Sequence, residues 1–185
     1  LIRFFNKELY SDRLRAFREL ATTVHAAPIG IPTVEILAAV TVKTGSWYRH
    51  FLFSRELAGC IDLPAYLCGR AAGASFFAEK RSALEAAACL VRRMHEAGFY
   101  HGDLNLKNIL VCAAQPDLLY IIDWDKSYCP GVLADDLRKE NAVRFCRSML
   151  KLGQAGLPAD PEDAEAFLRA YCSDSDFVRA CREQL

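Results

Sequence analysis

Two periodicities run along this chain, one near 3.6 residues and one of two residues, and their succession predicts the elements. The clearest helical stretch starts at Phe76 or Glu79 and runs to Ala97. Leu84, Ala87, Ala88, Val91, Met94 and His95 share one face, and Arg81, Glu85, Arg92, Arg93 and Glu96 share the other. Gly98 stands where a left-handed C-terminal cap belongs. Nearer the start, Leu14, Phe17, Ala21 and Val24 recur at helical spacing after Ser11, a residue able to cap a helix. That spacing makes them the apolar face of a helix ending near Ala26, before Pro28 and Gly30. A further helix is predicted from Leu133 or Asp135 to Leu152, with Leu137, Phe145, Met149 and Leu152 inward. Its other side is basic, carrying Arg138, Lys139, Arg144, Arg147 and Lys151. Residues 153–158 form a linker, 161–172 a helix with acidic first turns, and 176–184 a last short helix.

The two-residue period appears elsewhere. Residues 32–42 and 47–53 read as a hairpin about Lys43, Thr44, Gly45 and Ser46. Residues 1–5 read as the end of another strand. A short helix is expected at 63–67, and a Gly- and Ala-rich loop at 69–75. Ile109, Leu110, Val111 and Cys112 form an apolar, β-rich run; residues 113–117 turn, and residues 118–122 return.

Composition adds limits. Of 185 residues, 52% are apolar and 25% charged, which predicts a folded chain able to bury a core. The formal net charge of zero gives no electrostatic footing for a general nucleic-acid or membrane-surface binder. No apolar run approaches the roughly 18 residues of a membrane span, and no basic-then-apolar leader opens the chain. It begins at Leu1 rather than Met, so an upstream segment is expected. The 8 cysteines are scattered without a Cys-x-x-Cys pair, and Cys89, Cys112 and Cys146 fall in apolar periodic segments. Free, buried thiols in a reducing cytoplasm are the expectation.

Chemistry concentrates in one stretch. His101, Gly102, Asp103, Leu104, Asn105, Leu106, Lys107 and Asn108 precede the first apolar run, and Asp123, Trp124 and Asp125 follow the second. Folding those runs back on each other sets Asn108 beside Asp123. An amide oxygen and carboxylates together suit Mg²⁺, which takes oxygen ligands and phosphates in an octahedron. Asp103 would lie just upstream, available to accept a hydroxyl proton. Each residue alone is an ordinary turn or strand-end residue; the ordered set is specific.

His-x-Asp, Asn five residues after the Asp, then a hairpin and Asp resembles the catalytic loop and metal aspartate of the protein-kinase-like fold. The wording His101-Gly102-Asp103-Leu104-Asn105, Asn108-Ile109-Leu110 and Asp123-Trp124-Asp125-Lys126-Ser127 is similar to bacterial lipopolysaccharide core kinases, which act on Kdo or heptose sugars. The resemblance implies an α+β, protein-kinase-like fold. A partial β lobe would occupy residues 1–57 and a mainly helical lobe residues 58–185. It implies ATP and Mg²⁺ as cofactors, a lipid-linked core oligosaccharide or other small sugar as acceptor, and no nucleic-acid partner. The expected location is cytoplasmic, with peripheral contact at the inner face of the membrane.

Roles follow by position in the resemblance. Asp103 would be the base, His101 would support its loop by hydrogen bonding, and Asn105 holds the place where Ser/Thr kinases carry lysine. Lys107 would contact phosphate; Asn108 and Asp123 would hold Mg²⁺, with Asp125 a further metal or water ligand or a brace for the loop through Lys126. Arg55, Glu56 and Leu57 would form the hinge whose backbone meets adenine. Glu19 would be the helix glutamate that pairs with the nucleotide-binding cation; its other reading is an exposed residue beside Arg15 and Arg18. The segment 141–148 resembles a helix that follows the metal aspartate in these kinases.

Two departures stand out. No Gly-rich phosphate loop is present, and the strand position that would carry lysine holds Arg3. A catalytically impaired binding module therefore stays open, as does an aminoglycoside- or choline-kinase-like enzyme sharing His-Gly-Asp, Asn and Ile-Asp-Trp. A protein kinase is disfavoured: a short polar loop joins Asp125 to the next helix, and there is no Ala-Pro-Glu.

Overall fold

The computed structural model describes residues 9–70, 76–112 and 115–185. The first group of elements is a helix laid on a hairpin: α1 (Arg15–Ala26), β1 (Ile36–Thr44) and β2 (Trp47–Ser54). The strands pair antiparallel from Thr44↔Trp47 to Ile36↔Ser54, and the turn between them is made by Gly45 at φ 62°. Tyr10 adds a bridge to Tyr48 through two backbone bonds of 2.9 and 2.8 Å. His50 is buried between them, its ring meeting the Thr41 hydroxyl at 2.9 Å and the Asp12 carbonyl at 2.8 Å.

The helix rotates differently from its apolar spacing. Ala16, Thr23 and Ala26 are its buried positions, whereas Leu14, Phe17 and Val24 are 47%, 43% and 56% exposed. Ser11 is not its cap; Leu14 occupies that position, with its backbone N–H held by the Asp12 carboxylate at 2.9 Å. Ala26 belongs to the same core as Ile31, Phe99 and Trp124, so the helix is covered by more than the hairpin.

The second group is built around α3 (Phe76–Glu96), which buries Leu84, Ala87, Ala88, Val91, Met94 and His95 as its spacing predicts. Gly98 ends it at φ 83°, with its N–H on the His95 carbonyl at 3.0 Å. A Cβ there would lie 2.2 Å from the Gly131 carbonyl oxygen, so only glycine fits. Around α3 stand α2 (Leu63–Arg70), α4 (Asp135–Gln154), α5 (Pro161–Tyr171) and α6 (Ser175–Arg182). Phe145 of α4 stacks on Phe167 of α5 at 4.4 Å between centroids. Asp160 and Asp163 make a reciprocal cap at the start of α5, and buried Lys80 of α3 reaches Asp163 at 2.8 Å. That bond ties a cap to the central helix.

A three-stranded antiparallel sheet, in the order β3-β4-β5, carries the motif: β3 (Cys60–Asp62), β4 (Ile109–Cys112) and β5 (Gln115–Ile121). β3 is too short to show a period, and β5 starts earlier than residue 118 because a register shift next to Cys112 extends the pairing. The expectation of free thiols is corrected at two positions, since Cys60 and Cys112, partners across β3 and β4, are joined by a disulfide. Cys89 is exposed rather than buried, on the solvent side of α3; Cys146 is buried as expected. The expected first strand with Arg3, and most of the loop expected at 69–75, lie outside the described residues.

Candidate active site

The loop before β4 is held by its own side chains. His101 is fully buried; its Nε2–H donates to the Ile122 carbonyl at 3.1 Å, and its Nδ1 accepts the Asp103 backbone N–H at 3.2 Å. One ring thus links the loop to the far strand's end and fixes the backbone at Asp103. Burial drives the imidazole pKa down to about 4, so the ring is neutral at neutral pH. Asn105 caps a 3-10 turn, Leu106–Asn108: its oxygen accepts the Lys107 N–H at 2.9 Å and its amide donates to the Asp103 carbonyl at 3.0 Å. Asn108, buried, donates to that same carbonyl at 2.8 Å. Two amides therefore grip one carbonyl, and the Asp103 carboxylate is left 61% exposed.

Helix α4 braces this loop from behind along one face. Asn141, fully buried, accepts the His101 N–H and donates to the His101 carbonyl, both at 3.0 Å. Its oxygen also takes the Nε2–H of buried His95 at 3.2 Å, and His95 Nδ1 meets the Tyr171 hydroxyl at 2.6 Å. Arg144 donates to the Gly102 carbonyl at 3.0 Å, and Ser148 accepts the Leu106 N–H at 3.2 Å. Spacings of three and four residues put all three side chains on the same stripe. Among these, only the resemblance of segment 141–148 pointed to the region; the individual bonds had no separate signal in the sequence.

On the other side of the cleft, Ile122 N–H donates to the Asn108 carbonyl at 3.0 Å, which sets Asn108 and Asp123 side by side. Asp123 takes φ 63°, a left-handed conformation uncommon for a non-glycine residue and concentrated at functional sites. Lost hydration raises its carboxyl pKa above the ordinary range, and the Asp125 charge adds to this. Glu19 of α1 faces the same group: burial first, then Asp123 and Asp125, push its pKa up to about 7. Arg15 of α1 pairs with the Asp125 carboxylate and stacks over the Tyr10 ring at 3.8 Å. Trp124, buried, packs edge-on against Phe99 and donates its indole N–H to Thr33 at 2.8 Å. A cavity of about 410 Å³ opens between α1 and this loop, lined by Arg15, Glu19 and Asp125 among others.

The expected site residues are thus distributed over three places. His101, Asp103, Asn105, Asn108 and Asp123 converge around the loop. Glu19 and Asp125 line the same cavity, with Arg15, which spacing alone did not single out, as the partner of Asp125. Lys107 is exposed after its turn, with no side-chain bond among those described. Arg55 leaves β2 and pairs with Glu35 at 2.5 Å, while the Leu57 carbonyl accepts the Cys60 N–H at 3.2 Å. Among the described residues, no three His, Cys, Asp or Glu side chains form a metal site by themselves. A cation there must draw on the Asn108 amide oxygen, on ligand oxygens or on water.

A helix on a hairpin, facing a helical body that carries His-Gly-Asp, Asn and a hairpin-borne aspartate, defines a protein-kinase-like α+β fold. A solved structure described as WaaP in complex with acyl carrier protein superposes with a TM-score of 0.68, covering 93% of this chain and 77% of that one at 20% identity. The chain belongs to the lipopolysaccharide kinase (Kdo/WaaP) family, whose model matches residues 5–171. A 3-deoxy-D-manno-octulosonic acid kinase of Xanthomonas oryzae pv. oryzae is 34% identical over 168 residues, 87% of this chain and 61% of that protein. The enzyme of the same name from Vibrio vulnificus is 30% identical over 137 residues, covering 74% and 53%. The chain therefore spans about half to three-fifths of the length of these relatives. No helix among the described residues is long and apolar enough to cross a membrane.

Proposed function

We propose that this chain provides the catalytic body of an ATP-dependent kinase that phosphorylates a sugar hydroxyl of the lipopolysaccharide inner core, with Kdo as acceptor. The observation that carries the reading is an exposed Asp103 carboxylate beside the Asn108–Asp123 pair, on a loop that His101, Asn105 and Asn108 hold still through their own side-chain hydrogen bonds. Such transfer needs positioning and charge neutralisation more than covalent help. Asp103 accepts the proton of the acceptor hydroxyl as its oxygen bonds to the γ-phosphorus of ATP and the bond to ADP breaks. His101, neutral and buried, orients Asp103 through its backbone; Asn105 shapes the turn.

Asn108 and Asp123 would hold Mg²⁺, which would neutralise phosphate charge. The fit is supported by the crowding of Glu19, Asp123 and Asp125: burial first and neighbouring carboxylates second raise Glu19 and Asp123, and a cation there would offset both. Asp125, already paired with Arg15, would fix the loop and contribute through water. Glu19 would meet the nucleotide-binding cation, with Arg3 in that place, and Lys107 a phosphate. Arg55, Glu56 and Leu57 would present backbone to adenine where the lobes, 1–57 and 58–185, join. The names of the relatives, 3-deoxy-D-manno-octulosonic acid kinases, favour a sugar acceptor; a lipid-linked form of it, met at the cytoplasmic face of the membrane, is part of the proposal. No nucleic-acid role is proposed.

The test is phosphate incorporation from γ-labelled ATP by the intact protein. Label is expected in Kdo-terminated core and is expected to vanish in Asp103→Asn. Labelling of an aminoglycoside or choline, with none in core sugar, would overturn the acceptor assignment.

A further inference from the structure

Arg144 is the one cation of α4 that turns onto the proposed base. Its Nη1 donates to the Gly102 carbonyl at 3.0 Å and its Nη2 to Glu140 at 3.2 Å. Glu140 is itself anchored by the Tyr100 hydroxyl at 2.7 Å. The guanidinium plane is therefore set by acceptors on two different elements before anything binds. Its distance to the Asp103 carboxylate is 3.8 Å, too long for a hydrogen bond, and its side chain remains 40% exposed. A guanidinium has five N–H donors, and two are occupied here.

A preset guanidinium with open donors suits a planar carboxylate, which it can hold through two parallel bonds. We propose that Arg144 is an acceptor subsite that binds the carboxylate of a sugar acid and so brings one hydroxyl of that sugar to Asp103. This rests on the kinase reading above and deepens it. Base and anchor lie within the width of one sugar ring, so fixing the carboxylate restricts which hydroxyl reaches Asp103. A neutral sugar would lack the anchor. The other arginines near the cleft are committed elsewhere: Arg15 to Asp125 and Arg18 to Asp12. The Glu140 and Asp103 carboxylates already beside the guanidinium weaken binding of a third, so affinity for the isolated sugar acid should be low while the preference for the charged form persists.

The test titrates the intact protein with 3-deoxy-D-manno-octulosonic acid and with its methyl ester, followed by ligand-observed NMR. Wild type should favour the acid by about tenfold or more. Arg144→Gln should remove that preference without changing affinity for a non-hydrolysable ATP analogue, and Arg144→Lys should keep part of it. Equal binding of acid and ester by wild type, or a preference surviving in Arg144→Gln, would overturn the proposal. In turnover assays, Arg144→Gln should raise KM for the acid far more than it lowers kcat. An equal fall in kcat on acid and ester would mean that the residue acts only through Gly102, and would also overturn it. Preference for the acid without phosphate transfer would leave the subsite standing and remove the kinase reading; transfer to both forms alike would do the reverse.

Discussion

The two walls of the cleft are built on opposite terms. Behind Asp103, His101, Asn141 and His95 are fully buried and bonded to one another and to backbone, so the loop has little freedom. Across from it, α1 lies against the hairpin, buries Ala16, Thr23 and Ala26 and turns Leu14, Phe17 and Val24 outward. It reaches the motif through charged side chains, Arg15 to Asp125 and Glu19 toward Asp123. One wall is held by desolvated hydrogen bonds, which are costly to leave unmade; the other carries the partly exposed Arg15–Asp125 ion pair, which is weak, beside a Glu19 that Asp123 repels. Under the proposed function, a loop that positions a base requires the first kind, and a helix that accommodates an incoming nucleotide works with the second.

The contrast can be broken at several points. Asp103→Asn should lower phosphate transfer by about a hundred- to ten-thousandfold while leaving the urea unfolding midpoint unchanged, because the carboxylate is exposed; a fall in both would mean the residue is structural. Asn141→Leu, by contrast, should cost about 3 kcal/mol or more in urea denaturation, since it strands the His101 N–H and carbonyl without water. A cost near zero would show that the brace behind the loop is not what holds it.

Acidification probes the same wall. His95 and His101 are kept neutral by burial down to a pKa of about 4, whereas their ordinary value is 6.5. Between those values the unfolded chain takes up protons that the folded one does not. Stability is therefore full above about pH 6.5 and falls as pH drops toward 4, at up to about 1.4 kcal/mol per pH unit for each ring. Thermal unfolding between pH 7 and 5 checks this; a midpoint flat across that range, in a variant lacking surface carboxylate changes, would contradict it. The smallest effect is expected on α1. Phe17→Ser and Val24→Ser should each shift unfolding by no more than about 0.5 kcal/mol, and a loss of 2 kcal/mol or more would show that this face is covered in solution.

Legibility followed the same division. The buried face of α3 was readable because a long helix surrounded by other elements must bury its whole apolar stripe, and the Gly98 cap was readable because only glycine tolerates that backbone. The motif hairpin was readable from two β-rich runs and a turn. In α1 the period located the helix but not its covered face: the small residues Ala16, Thr23 and Ala26 are covered, and the larger Phe17 and Val24 are left outside. β3 is three residues long and gains its identity only by pairing with β4. Cys60 and Cys112 are far apart in the chain, and nothing local to either announced the other.

The linear sequence by itself determined the kinds of groups available for chemistry: His101, Asp103, Asn108 and Asp123, in an order and spacing that constrain how a hairpin can bring them together. It also determined the family, since short-range motifs survive as text. Tertiary structure alone decided which polar groups are spent and which are open. Asn105 and Asn108 use their amides on one carbonyl, Asn141 serves His101 from another helix, and Arg15 and Arg144 approach the loop from opposite sides. The physical reason is that a hydrogen bond or an ion pair depends on distance and desolvation, and both are set by how distant segments pack.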